Sequence, residues 1–373
     1  MDVYLDYNAT APLRPEVASA MTAAFALCGN ASSVHRFGRL ARRAVEDARE
    51  TIAVSVNAAA AEIVFTSGGT EANNLALRGS GRPVLISSIE HDSVRAARDD
   101  PGLIRVDSNG VVDLAHLEEL LNAAETPLLV SVMLANNETG VVQPIDQVAA
   151  LAKQFGALVH CDAVQALGKI PLSFAGLDVD MMSLSAHKLG GPQGVGALII
   201  RDGLNLVPVQ RGGGQERGRR AGTENIAGIA GFGAAAALAA QAVEAAPELV
   251  DMRDHIEARL RAAVPDAIIY GAEASRLPNT VCIGLPGVTN EVQVMALDLA
   301  GVAISAGSAC SSGKLTPSHV LQAMGASDDA AASAIRVSLG WQTSAGDCER
   351  FIETWTALAK RRESCELPEQ SVA

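Results

Sequence analysis

Two nucleophilic side chains stand out by their surroundings. Lys188 lies in Ser183-Leu-Ser185-Ala-His187-Lys188-Leu-Gly190-Gly191, between an apolar run and a glycine-rich stretch. A partly desolvated amine is expected there, and desolvation favours the neutral form that suits Schiff-base chemistry. The plainer reading is a solvated surface lysine; the Ser, His and Gly packed around Lys188 favour chemistry. Cys310 lies in Ser305-Ala-Gly-Ser-Ala-Cys310-Ser-Ser-Gly-Lys-Leu-Thr-Pro-Ser318, a stretch of small residues. That composition argues against a buried inert thiol, and an exposed thiol near cations is nucleophilic as thiolate. The other cysteines, at 28, 161, 282, 348 and 365, sit in apolar or terminal contexts without CxxC spacing. They read as reduced thiols rather than a disulfide framework, which suits a cytoplasm.

Further polar groups fall just past β-branched runs. Ile63–Thr66 leads into Ser67-Gly68-Gly69-Thr70 and then a helical pattern. Glycines let a backbone approach a ligand and the helix start attracts an anion, so this is either a phosphate cradle or a tight turn with Thr70 as N-cap. No Walker lysine follows. His91 follows the run ending at Ser88, and Asn136-Asn137-Glu138-Thr139-Gly140 follows the run ending at Met133; alone, either is an ordinary structural histidine or turn. Asp162 ends another apolar run, four residues before Ala166, with Gln165 between. A carboxylate there needs a cation or strong donor, such as a protonated pyridine nitrogen, unless it caps the next helix. Arg336, alone in the apolar run Ala334–Leu339, calls for a carboxylate from protein or substrate.

The elements that must position these groups alternate. Strands are expected at 63–66, 84–87, 103–106, 128–133, 158–161, 181–184 and 197–200, with helices near 70–78, 114–123 and 145–155. Near-continuous apolar strands separated by helices imply an α/β fold with a mostly parallel sheet covered on both faces, whose ligands bind beyond the strand carboxyl ends. The Gly/Arg segment 211–222 suits neither strand nor helix. Ala-rich helices follow from about 224 to 264, interrupted at Pro247, and the remainder reads as a smaller α+β lobe with strands at 280–284 and 335–339 and helices at 291–299 and 346–360. The expected division is a large domain at 13–245 and a small one at 1–12 and 246–373.

With 373 residues, 49% hydrophobic and 19% charged, the chain has a globular composition with material for a sizeable core. Asp and Glu outnumber Lys and Arg by 42 to 29, giving a net charge of −13. A bulk negative field argues against binding nucleic acid or anionic membranes through overall charge. The first residues have no basic and apolar leader pattern, and the weakly apolar run 226–240 reads as a packed helix rather than a span.

Taken together, these segments resemble the cysteine desulfurases of the NifS and IscS kind, within the class V, fold-type I enzymes that use pyridoxal 5′-phosphate. The matching pieces are Tyr4-Leu-Asp6-Tyr-Asn8-Ala-Thr10, Thr66-Ser-Gly-Gly-Thr-Glu71, Glu90-His91, Asn136-Asn-Glu-Thr-Gly140, His160-Cys-Asp162-Ala-Val-Gln165, Ser185-Ala-His-Lys188, Arg217-Gly-Arg-Arg-Ala-Gly-Thr-Glu224 and Ser308-Ala-Cys310-Ser-Ser-Gly313. The resemblance implies a PLP-dependent transferase large domain in which Lys188 carries the cofactor, Asp162 pairs with its pyridine nitrogen and Gln165 with its phenolic oxygen. It implies that His91 stacks on the ring and moves protons, and that Gly69, Thr70, Ser185 and His187 hold the phosphate. Thr223 would reach the phosphate of a neighbouring subunit, implying a homodimer. Asn137 and Arg336 would hold the substrate carboxylate, with Asn8 nearby.

The implied reaction converts L-cysteine to L-alanine and leaves a persulfide on Cys310 for a sulfur acceptor, such as an iron–sulfur scaffold in the cytoplasm. The family also allows Cys310 to lend its sulfur transiently to iron. The sequence around Cys310 resembles the long-loop group, while Gln215 and 219–224 are closer to NifS than to IscS. The competing readings are a selenocysteine lyase or another class V lyase or aminotransferase, a catalytically dead scaffold that docks sulfur acceptors, and, more distantly, a phosphate-binding protein without PLP.

Overall fold

A computed structural model of the chain describes residues 2–307 and 317–365. Seven strands form the central sheet: β1 Ile63–Thr66, β2 Val84–Ser87, β3 Gly102–Ile104, β4 Leu129–Met133, β5 Leu158–Asp162, β6 Met181–Ser185 and β7 Gly196–Ile200. Their spatial order is β1-β7-β6-β5-β4-β2-β3. Only β7 runs against its neighbours; the pairs β2–β3, β2–β4, β4–β5 and β5–β6 are parallel. β4, β6 and β7 are buried along their whole length because helices cover both faces, which is why their sequences read as apolar runs without alternation. β1, β2, β4, β5 and β6 all end on one edge, so Thr66, Ser87, Met133, Asp162 and Ser185 share the carboxyl rim where ligands bind in such sheets.

Helices Gly69–Gly79, Leu114–Asn122 and Ile145–Gln154 stand within a residue or two of expectation. Two further helices, Pro15–Phe25 and Arg36–Ser55, lie in a region for which the strand and helix patterns gave no assignment. They pack against Ile226–Ala237, the helix that begins the apolar stretch 226–244. By length and composition that stretch could cross a membrane, yet half of its most apolar window is buried inside the protein. Close approach explains its glycines: a Cβ on Gly233 would come within 2.8 Å of Ala48 Cα. The Ala-rich helices break at Ala245, next to Pro247 as expected, and the proline sits in the first turn of Ala246–Ala263, where its missing N–H costs nothing.

A second apolar core joins the two ends of the chain. Val3 and Leu5 pack with Ile256, Leu260, Val281, Ile283, Leu339, Phe351 and Trp355. Around it lies an antiparallel sheet in which Thr280–Gly284 pairs with Ala334–Ser338 on one side and Ile268–Ile269 on the other. The parallel pair Val3–Tyr4 with Val302–Ala303 ties the amino terminus to this unit. Cys282, Val320 and Met324 meet Ile89 and Met133 in a smaller cluster that couples it to the β2 and β4 ends of the large sheet.

The Gly/Arg segment contains one short 3₁₀ turn, Gln215–Gly218, rather than no regular structure. Glu216 (φ 46°) and Arg217 (φ 57°) are left-handed there, a conformation that costs on the order of 1 kcal/mol or more per residue unless the surroundings enforce it. The enforcement is visible. The Glu216 carboxylate receives Arg49 Nη1 and Nη2 at 2.8 and 2.9 Å and the Phe65 backbone N–H at 2.9 Å, all buried. Arg49 also stacks on the Phe65 ring, 4.6 Å from its centroid. Removing Arg49 leaves the Glu216 carboxylate buried without its cation. Arg49→Met is therefore expected to cost about 3–5 kcal/mol in chemical denaturation, while Arg43→Met, whose partner Asp47 is as exposed as itself, should cost about 0.5 kcal/mol or less.

Candidate active site

The anion end of the site begins at β1. Gly68, with φ 149°, caps the helix Gly69–Gly79. A Cβ on Gly69 would lie 2.8 Å from Val164 Cγ2 and 3.5 Å from Ser185 Cβ, and one on Gly196 would lie 2.8 Å from Gly68 Cα. Backbones and Ser185 thus crowd one point, leaving the unbonded first-turn N–H groups of the helix as an anion site. Thr70 is not the N-cap: Gly68 holds that place, and Thr70 sits in the first turn, so capping does not use its hydroxyl. Arg220 binds Glu71 at 2.7 and 3.1 Å and draws the Gly/Arg segment against this helix start. Thr223 follows it, exposed on the single chain.

A hydrogen-bonded chain of four side chains lies deeper. Asn73 Nδ2 donates to Asp162 Oδ2 at 2.7 Å and to Ser93 Oγ at 2.8 Å. Ser93 Oγ stands 2.8 Å from His91 Nδ1, which also accepts the Ser93 N–H at 3.1 Å. With both amide hydrogens on the hydroxyl and carboxylate, the Ser93 O–H is left to point at Nδ1, placing the proton of a neutral His91 on Nε2. Asp162 Oδ1 accepts the Val164 N–H at 3.0 Å, and no helix follows for it to cap. His91 does cap a helix, the short turn Asp92–Arg95, so its structural role is real alongside any other.

Glu90 lies beside this chain, fully buried. Its Oε1 receives the Met133 N–H at 2.7 Å and its Oε2 meets no partner. Burial, reinforced by the Asp162 charge, pushes its carboxyl well above the usual range.

The reactive amine stands on the other side of Gln165. Lys188 Nζ donates to the carbonyls of Asn8 and Ala9 at 2.6 and 2.9 Å, and Gln165 Nε2 donates to the same Asn8 carbonyl at 2.9 Å. Asn8 does not present its side chain to a substrate. Its Nδ2 donates to Thr280 Oγ1 at 2.9 Å and to the Asn137 carbonyl at 3.3 Å, and its Oδ1 accepts from Lys169 and Asn279. His187 Nδ1 lies 3.1 Å from Thr10 Oγ1, whose hydroxyl is given to the Ala9 carbonyl. Burial, with Lys188 and Lys169 adding to it, pushes His187 down to about 4; a bound phosphate would oppose that shift.

At the substrate end, Arg336 meets a protein carboxylate. Its Nη2 binds Asp6 Oδ1 at 2.7 Å and its Nη1 donates to the Asn137 carbonyl at 3.1 Å, while its buried Nε has no partner among the described residues. The Asn137 side chain is half-buried beside it. Glu138 next door is buried and, chiefly through that burial, held above the usual carboxylate range. Its Oε2 accepts the Ser318 hydroxyl at 2.5 Å, and a Cβ on Gly307 would lie 2.5 Å from the same oxygen. Cys310 lies between those two residues, outside the described ones, and so does any role of it as an iron ligand. Among the described residues no cluster of His, Cys, Asp and Glu could hold a metal. Cys28 is exposed; Cys161, Cys282 and Cys348 are buried free thiols, each pushed up by burial.

Several of these groups escaped the sequence reading: Asn73, Ser93, Lys169, Glu90, Asp6 as partner of Arg336, Asn279 and Thr280. Two had a local signal. Asn73 follows Thr70 by one helical turn, and Lys169 interrupts the apolar run Ala166-Leu-Gly-Lys-Ile-Pro-Leu172.

The donor set fits pyridoxal phosphate: a cradle of glycine backbone for the phosphate, a carboxylate held by two donors for the pyridinium, an amide donor for the phenolic oxygen and a primary amine for the aldehyde. A parallel-sheet fold with this site defines a PLP-dependent enzyme. The chain belongs to the Aminotransferase class-V family, whose model matches residues 3–351, and within it to the cysteine desulfurases of the NifS and IscS kind. It is 46% identical to a cysteine desulfurase of Cereibacter sphaeroides, the alignment covering 94% of each chain. It is 40% identical to the cysteine desulfurase IscS of Dictyoglomus turgidum over 99% of each. A solved NifS-like protein from Rickettsia africae superposes with a TM-score of 0.91 at 36% identity, covering 96% of this chain and all of that one.

Proposed function

We propose that this chain removes sulfur from L-cysteine, releases L-alanine and carries the sulfur as a persulfide on Cys310 to an acceptor protein of iron–sulfur cluster assembly. The observation that carries the reading is the convergence of Lys188 and Gln165 on the one Asn8 carbonyl, Gln165 itself being three residues in sequence from Asp162 with its chain to His91.

Bound PLP supplies the electron sink for cleavage at the substrate amino acid. Asp162, held by Asn73 and the Val164 N–H, keeps the pyridine nitrogen charged. Gly69, Thr70, Ser185 and His187 hold the phosphate. Arg336, with Asn137 beside it, receives the substrate carboxylate through its remaining N–H groups. Lys188 takes the Cα proton and returns one to the product, and His91 shares proton movement through Nε2 while Ser93 fixes its other nitrogen. The Cys310 thiolate forms a bond to the substrate sulfur as the carbon–sulfur bond breaks. The electron pair stays on carbon, which takes up a proton, so cysteine plus enzyme thiol gives alanine plus enzyme persulfide.

Thr223, exposed on the single chain, supports a homodimer in which it completes the partner's phosphate site. The free thiols at 28, 161, 282 and 348 support a reducing compartment such as the cytoplasm. The test of the reading is visible absorbance of the purified protein before and after L-cysteine, with sulfide and alanine assayed together. A band that changes as the two products appear in step supports it; a band with no sulfide points to another PLP reaction, and no band with PLP supplied refutes the role of Lys188.

A further inference from the structure

Lys169 is a lysine with almost no access to water, 8% exposed, and none of the roles above uses it. Its Nζ donates to Gln165 Oε1 at 2.6 Å and to Asn8 Oδ1 at 2.7 Å. The two acceptors belong to the group that receives Lys188: Asn8 offers its carbonyl to Lys188 and to Gln165 Nε2 alike. A cavity of about 280 Å³ lies between the large and small units with both lysines in its wall. It opens on neither Asp162 nor Thr70, so Lys169 approaches the site from behind.

A lysine ammonium can only donate, and the Asn8 backbone carbonyl on the other side of the amide can only accept. The atom of Gln165 that faces Lys169 must therefore be the oxygen, and the nitrogen is then turned to the Asn8 carbonyl. One hydrogen of that nitrogen is used on Asn8, and the second remains for another acceptor. We infer that Lys169 is a positioning residue that locks the Gln165 amide with its N–H side toward the reactive amine, so that the cofactor's phenolic oxygen meets a donor and never the amide oxygen. This rests on the assignment of Gln165 to that oxygen under the proposed function. Of the two contacts that fix the sense of the amide, Lys169 is the one made by a removable side chain; the other is backbone.

The inference has a spectroscopic signature. A donor on the phenolic oxygen favours its anion and so sets the pH at which the visible band of the holoenzyme changes. The titratable groups around Lys169 are Lys188 and His187 after β6, Arg336 with its Asp6, and Tyr7, Arg14 and Glu248 across the cavity. Lys169→Met keeps the length and removes the donors. It should raise the midpoint of the visible-band titration by about one pH unit, through the freed amide and the lost donor together. In a Gln165→Met background the same change should add only a few tenths of a unit, because the group Lys169 acts on is gone.

Apoprotein melting, read in parallel, should move little for Lys169→Met. If that variant does not fold, Lys169→Leu, which also lacks a donor, carries the same two expectations. An unmoved midpoint overturns the inference, and so does an equal shift in both backgrounds, which would make Lys169 a distant charge rather than a lock. A wild-type protein with no visible band in added PLP would instead remove the cofactor reading, and the inference with it.

Discussion

Lys188→Ala should give a folded protein that stays colourless with PLP and forms sulfide from L-cysteine at least about a thousandfold more slowly, since both a covalent anchor and a proton carrier are removed. Folding should survive because the groups Lys188 contacts have other partners. The Asn8 carbonyl keeps the Gln165 amide and the Ala9 carbonyl keeps the Thr10 hydroxyl, so the loss to stability is expected within about 1 kcal/mol. The local electrostatics should shift in a defined direction. Burial is the larger cause of the low His187 value of about 4, and Lys188 is the next. Removing the cation should move His187 upward, toward its ordinary range, in a histidine proton titration by NMR. If the variant keeps the visible band, another amine holds the cofactor. Lys169, the nearest other primary amine on the Asn8 hub, would then be the residue to replace.

The residues legible in the sequence were those whose role is set within a few positions. Asp162 and Lys188 each end an apolar strand or follow one closely, and a polar residue there breaks a pattern that can be seen in one line. The central strands other than the edge strand β3, whose Leu103 is exposed, were legible for the same reason: buried almost throughout, they read as near-unbroken apolar runs, and the structure moved their ends by a residue or two. What stayed hidden is what folding brings together from a distance. Arg336 was seen to need a carboxylate, but its partner Asp6 lies 330 positions away and only the pairing of the two chain ends shows it. The Asn73 bridge from Asp162 to Ser93 spans 89 and 20 positions and depends on the helix after β1 lying across β5. Of the two readings of the Ser67–Thr70 turn, the one with Thr70 as N-cap does not hold: a hydroxyl is the commoner cap, but Gly68 takes the place with a φ of 149°, and it is Gly196 that must lack a side chain for the two backbones to approach.

Cys310→Ala should keep the visible band and its change on adding L-cysteine, yet lose sulfide and alanine formation by about a hundredfold or more, because binding survives and only the sulfur's nucleophile is gone. Cys161 and Cys282 are fully buried with thiols pushed far toward the neutral form, and burial pushes Cys348 up to about 11, so none of the three can supply a thiolate near neutral pH. Cys28 is exposed, and Cys28→Ala with unchanged rates is the matched control. The described residues on either side, Gly307 and Ser318, both abut Glu138 Oε2, the residue after Asn137, whose carbonyl Arg336 holds. An aminotransferase needs no such thiol. Undiminished turnover of L-cysteine in Cys310→Ala, with a keto acid in place of alanine and sulfide, would therefore take the persulfide step away from this protein and leave it a transaminase on the same cofactor site.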